Sequence, residues 1–109
     1  MNEEQIEALA HALHDHYRDL YKTPEAWDDL PEVKRELNRA QVRAFPALVK
    51  RHHIDADEAL AAGVHDVWMH FYENRADPRM RPYADLPESE KRKDREIVSW
   101  LKSWCFEPG

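Results

Sequence analysis

Residues 27–42 read WDDLPEVKRELNRAQV, and residues 83–98 read YADLPESEKRKDREIV. Aligned without a gap, they match Asp29 with Asp85, Leu30 with Leu86, Pro31 with Pro87, Glu32 with Glu88, Arg39 with Arg95 and Val42 with Val98. A second matching stretch precedes each of them: HDHYRDLY at 14–21 and HDVWMHFY at 65–72, both His-Asp-x-aromatic with a Tyr four residues after the aromatic. Matching segments in matching order point to an internal duplication, whose halves cover 3–52 and 55–106 of a single domain spanning 1–109. The second half differs in length only in its loop, which is about five residues longer. Two helix pairs, each unable to bury its own apolar face, are expected to pack on one another about a pseudo-two-fold axis. That packing would bring the two His-Asp-x-aromatic motifs face to face, where two rings could hold one flat ligand.

Apolar spacing predicts helices throughout. Ile6, Leu9, Ala10, Leu13, Tyr17, Leu20 and Tyr21 recur at three and four, giving a first helix over Glu3–Tyr21. Asp29 and Glu32 have the spacing of a capping box with Pro31 in the first turn, and Val33, Leu37, Ala40 and Ala44 continue a second helix that Pro46 should end or kink. Asp55 and Glu58 make a similar start for a third, with Leu60, Val64, Val67, Trp68, Phe71 and Tyr72 on its apolar face. After a loop containing Pro78 and Pro82, Asp85-Leu86-Pro87-Glu88 opens a fourth helix that should bury Ile97, Val98, Leu101 and Trp104. No alternation with a period of two occurs, so the fold class is all-α with four main helices.

Charge narrows the function. The net charge of −6 over 109 residues argues against a binder of nucleic-acid polymers, which needs excess Lys and Arg. A lone cysteine, Cys105, fits a reducing compartment and reads as a partly buried hydrophobe. The acidic N-terminus is unlike a signal peptide, and no stretch approaches the ~20 apolar residues of a membrane span. A cytoplasmic protein without a membrane partner is expected.

The stretch HDVW at 65–68 followed by DPRMRPYADLPESEKRKDR at 77–95 resembles the ryanodine-receptor repeat family. That family shows H-x-x-W and then a segment like H-P-x-L-V-P-Y-x-x-L-P-x-x-x-K-x-x-x-R. The matching residues are His65 and Trp68, then Pro78, Met80, Pro82, Tyr83, Leu86, Pro87, Lys91, Asp94 and Arg95. The first half is a weaker copy with Tyr17 in place of Trp, similar to small prokaryotic or phage members. The resemblance implies paired helices in tandem and a module that binds adenine nucleotides or nucleotide-derived signals, with no catalysis. It assigns the ligand to His65 and Trp68 and, through the repeat, to His14 and Tyr17. Two departures stand out. The family's G-W-x-Y-G loop is replaced by ENRADPRM, and Asp77 stands where the family has His.

The candidate ligand-binding residues are therefore His14, Tyr17, His65 and Trp68, with Tyr21 and Tyr72 one turn beyond and Arg75, Arg79 and Arg81 in the flanking loop. Each His lies one turn before its aromatic, on the same helix face, where an imidazole could hydrogen-bond a base edge. Guanidinium groups suit phosphate oxygens. Each aromatic has an ordinary reading as core, and each arginine as a solvated loop residue. Two other function classes stay open. One is a protein-interaction module using an aromatic face, with a second copy of the chain among its partners; four tryptophans supply the anchors. The other is an HD-type phosphohydrolase with a metal held by His11, His14, Asp15, His65 and Asp66. The chain is short for such an enzyme and lacks the E-x-x-H pairs of di-iron bundles. No cofactor is expected.

Overall fold

In the computed structural model, which describes residues 2–72 and 76–105, the chain forms four α-helices: α1 (Glu3–Tyr21), α2 (Glu32–His52), α3 (Asp57–Tyr72) and α4 (Glu88–Cys105). One turn of 3-10 helix, Trp27–Asp29, precedes α2, and another, Tyr83–Asp85, precedes α4. There is no strand among the described residues. Helix, 3-10 turn and helix thus occur twice. An offset of 51 carries the end of α1 onto the end of α3, and an offset of 56 carries both the 3-10 turn and the start of α2 onto their counterparts.

Local chemistry explains the boundaries, in places against expectation. Asn2 caps α1: its side chain accepts from the Gln5 amide at 2.8 Å, and the Gln5 side chain accepts from the Asn2 amide at 2.9 Å. Lys22 ends that helix in the left-handed conformation, φ 55°. The DLPE motifs are not capping boxes. Asp29 and Asp85 fall inside the 3-10 turns, and Pro31 occupies the position before α2 with no side-chain cap. The motif instead plugs the core with its aromatic and its Leu: Trp27, Leu30, Tyr83 and Leu86 are all buried. Helix α3 starts two residues beyond Asp55, so Asp55 is not its first residue.

Pro46 does not end α2, which continues through it to His52. Pro46 is on the exposed side, and continuing the helix keeps Val42 and Phe45 on one face with Leu48 and Val49. That packing outweighs the ~3 kcal/mol that an interior proline costs.

α1 packs on α2 and α3 on α4, and α2 then packs broadly along α3; the corresponding meeting of α4 with α1 is sparser. Gly63 explains part of this difference. A Cβ there would lie 2.5 Å from Leu48 Cδ2, so the missing side chain is where Leu48 seats. The core contains Ala10 and Leu13 of α1, the corresponding Ala61 and Val64 of α3, Val42 and Phe45 of α2, and the corresponding Val98 and Leu101 of α4. Three residues expected on apolar faces are instead exposed: Leu20, Val33 and Trp104, the last at 60%. Among the described residues no helix is long and apolar enough to cross a membrane.

Candidate functional site

The two motif histidines are buried and do the same job. His14 Nε2 donates to the carbonyl of Glu25 at 2.7 Å, and His65 Nε2 donates to the carbonyl of Arg81 at 2.8 Å. Each carbonyl belongs to the residue two before the aromatic of the 3-10 turn. A carbonyl can only accept, so Nε2 carries a proton in both rings. Each His therefore pins its half's loop against its first helix. Nε2 of each imidazole is thereby engaged within the protein.

A second strut repeats as well. Arg39 grips Glu7 through Nε at 2.6 Å and Nη2 at 3.2 Å, and Glu32 through Nη1 at 2.6 Å. Arg95 pairs with the corresponding Glu58 at 3.0 Å and Glu88 at 2.5 Å. Arg39 also lies over the Trp27 ring, 5.7 Å from its centroid, while Arg95 Nε donates to the Tyr83 hydroxyl, which donates to Glu58 at 2.5 Å. These fork geometries hold each 3-10 turn and helix start against the preceding helix.

Between the halves lies a pocket of about 280 Å³. Its wall contains eight aligned pairs of residues: His14 and His65, Tyr17 and Trp68, Thr23 and Arg79, Leu30 and Leu86, Lys34 and Glu90, Leu37 and Lys93, Asn38 and Asp94, Gln41 and Ile97. Leu13 and Glu25 complete it. Of the residues expected at the site, His14, Tyr17, His65, Trp68 and Arg79 line this wall. Tyr21 lies outside the wall, 4.6 Å from Tyr17 centroid to centroid, and lines a second depression with Leu20 and Lys93. Arg81 contributes its carbonyl to His65 while its side chain is outside the wall. Arg75 and the side chains of Tyr72 and Cys105 lie outside the described residues.

The pairs are not equally engaged. In the second half, Arg79 chelates Asp77 through Nε at 3.0 Å and Nη2 at 2.6 Å and lies 5.0 Å from the centroid of Trp68. Trp68 also stacks on His65, with centroids 5.4 Å apart and planes inclined by 19°. Glu90 pairs with Lys93 at 3.3 Å, and His65 Nδ1 faces Asp94 Oδ2 at 3.5 Å. Burial alone would lower the His65 pKa, but the Asp94 carboxylate and the Arg81 carbonyl outweigh it and raise it above the ordinary imidazole value. Burial pushes Asp94 up too, with His65 opposing. Both shifts place a proton in the buried pair. Burial also raises the Tyr17 phenol, and the Glu90 carboxylate adds to the effect.

In the first half the aligned residues stand open. Gln41 is 4% exposed and its amide makes no hydrogen bond among the described residues. Thr23 Oγ1 is buried with no hydrogen-bond partner there, and neither Asn38 nor Lys34 has a side-chain partner among them. Leaving a buried polar group unpaired costs about 1–3 kcal/mol, so the buried Thr23 hydroxyl is a poor choice for a merely structural wall. Sequence reading missed all four. Their signal was available in the alignment itself, where Gln41 faces Ile97.

The residues considered for a metal do not gather. His11 and Asp15 form an exposed pair at 3.5 Å, and His65 is joined to Asp94. No group of three His, Cys, Asp or Glu side chains among the described residues could hold a metal ion. Asp94, one of the residues that carry the family resemblance, is buried, 8% exposed.

Comparison with protein-family models, with curated proteins and with solved structures finds no match to this chain.

Proposed function

We propose that this chain is a small cytoplasmic ligand-binding module, built like a ryanodine-receptor repeat from two helix pairs about a pseudo-two-fold axis, and that it takes a nucleotide-like molecule between its halves. It senses or sequesters that molecule and catalyses no reaction. The observation that carries this reading is the pocket wall, in which both halves place the same His, aromatic and Leu positions. Ligand pockets typically measure about 300–1,000 Å³, so a cavity of about 280 Å³ suits a small ligand. Tyr17 and Trp68 supply ring surface, and unpartnered polar groups supply orientation. The histidines enter this reading as supports of the loops, not as ligand contacts.

Thermal-shift screening with nucleosides, nucleotides, cyclic nucleotides and ADP-ribose derivatives tests it, followed by titration of Tyr17→Ala and Trp68→Ala. Base stacking on an aromatic contributes about 1–3 kcal/mol, so each variant should bind about five- to a hundredfold more weakly. Folded variants with unchanged affinity would remove the aromatics from the site, and a wild-type chain that binds none of the panel would end the nucleotide reading.

One observation favours a second reading, a protein-interaction module. Trp104 is 60% exposed beside Trp100, which stacks on His16 at 6.0 Å. Sedimentation velocity of the wild type and Trp104→Ser over a range of concentrations tests self-association through this face.

A further inference from the structure

Resting on that reading, we infer that the polar contacts to the ligand come from the first half, and that the ligand is a nucleoside monophosphate whose base edge is read by Gln41 and Asn38 and whose phosphate meets Lys34. Gln41 is nearly fully buried, lines the pocket and has no partner for its amide among the described residues. Its counterpart Ile97 shows that the fold accepts an apolar side chain at this position. An amide held at the pocket surface where an apolar residue fits is explained by something that enters the pocket and pairs with it.

The neighbouring groups define that partner. Lys34, Asn38 and Gln41 are spaced by four and three on α2, so they follow one face of the helix from the pocket mouth inward. Lys34 is exposed, as a group meeting a hydrated phosphate should be, and Gln41 is buried, as a group reading a base should be. An amide places an acceptor beside a donor and pairs with a base edge that offers a donor beside an acceptor. The buried hydroxyl of Thr23 adds a further donor and acceptor in the same wall.

Charge sets the number of phosphates. Of the pocket's cations, Arg79 is chelated by Asp77 and Lys93 is paired with Glu90, while Lys34 has no carboxylate partner among the described residues. One open cation beside the Glu90 and Asp94 carboxylates suits one phosphate and disfavours three. The pocket's size points the same way.

The test is isothermal titration of the full chain with AMP, GMP, UMP, CMP, adenosine and ATP. The wild type should bind at least one monophosphate more tightly than the triphosphate. Gln41→Ile, which installs the residue of the second half, should weaken that monophosphate about five- to a hundredfold, the range of a lost bidentate pair. The same variant should melt at or above the wild-type temperature, because an apolar side chain replaces an amide that makes no hydrogen bond to the described residues. A lower melting temperature with unchanged affinity would make Gln41 a core residue and overturn the inference. Lys34→Gln, at an exposed position, should weaken the monophosphate and leave adenosine unaffected; equal losses for both would overturn the assignment of the phosphate. If no compound binds the wild type, the nucleotide reading itself fails. If monophosphates bind and both variants bind as the wild type does, only the present assignment fails.

Discussion

The two halves of this molecule share their supports and differ in their open surfaces. Each pins its loop with a buried His, anchors a 3-10 turn with a buried aromatic and Leu, and clamps it with an Arg between two Glu. Where the halves face the pocket they diverge. Asp94 engages His65, Arg79 engages Asp77 and Glu90 engages Lys93, while the aligned Asn38, Thr23 and Lys34 engage nothing among the described residues. A repeated frame offers each position twice, so one copy can be fixed for rigidity while the other is left for contact. The second half reads as the rigid wall and the first as the contact surface.

The largest effect that could break this comparison comes from removing the two histidines. His65→Ala strands Asp94, a carboxylate 8% exposed, and the Arg81 carbonyl together. Breaking a buried ion pair by deleting one partner costs about 3–5 kcal/mol. His14→Ala strands the Glu25 carbonyl alone, at about 1–3 kcal/mol. Urea unfolding of both variants should rank them in that order, and equal losses would mean that Asp94 adds no rigidity to the second half.

A smaller effect sharpens the same point through pH. The folded-state pKa of His65 is raised, so its contribution to stability is complete below the unfolded value of ~6.5 and is lost as pH rises through the folded value. The raised Asp94 acts in the same direction, since the folded state holds the proton more tightly than the unfolded chain. Stability should therefore fall from mildly acidic to mildly alkaline pH. Asp94→Asn, which gives the second half the residue found at Asn38, should flatten that slope. A slope that survives in Asp94→Asn would show that the pair does not set it.

Much of this was legible in the sequence, for reasons that particular residues make plain. Period-three-and-four spacing marks a helix because one face must be buried, so α1 was readable from Ile6 to Tyr21. The repeat grouped His14, Tyr17, His65 and Trp68 before any coordinates, since equal segments in equal order tend to meet. Three-dimensional partners were not legible. The spacing of Asp29 and Glu32 fits a capping box, yet Glu32 turns to Arg39 from a turn whose aromatic is buried. Pro46 is a helix breaker by local rule, and packing on both sides of it overrides that rule. The partners of the two imidazole Nε2 atoms are not legible because the carbonyls that accept from them lie 11 and 16 residues away in sequence.

The smallest predicted effect concerns how the halves meet. Leu48 of α2 and Trp104 of α4 occupy aligned positions, but Leu48 seats over Gly63 of α3 whereas Trp104 is exposed. The residue aligned with Gly63 is Ala12, so the first half's own helix offers no such notch. Gly63→Ala gains about 1 kcal/mol of helix propensity. Against this, its Cβ would meet Leu48 Cδ2 at 2.5 Å and Cγ at 3.2 Å, and overpacking costs about 1–3 kcal/mol. Leu48 is only half-buried and can swing outward, which puts the cost at the low end and the net change within about 1 kcal/mol of zero. In a Leu48→Ala background the contact is gone, so the same substitution should stabilise by nearly the full ~1 kcal/mol of propensity. Trp104→Ala should change stability by less than about 0.5 kcal/mol, as exposed substitutions do. If Gly63→Ala has the same effect with and without Leu48, the notch does not hold the α2–α3 seam, and the sparser meeting of α1 and α4 needs another cause.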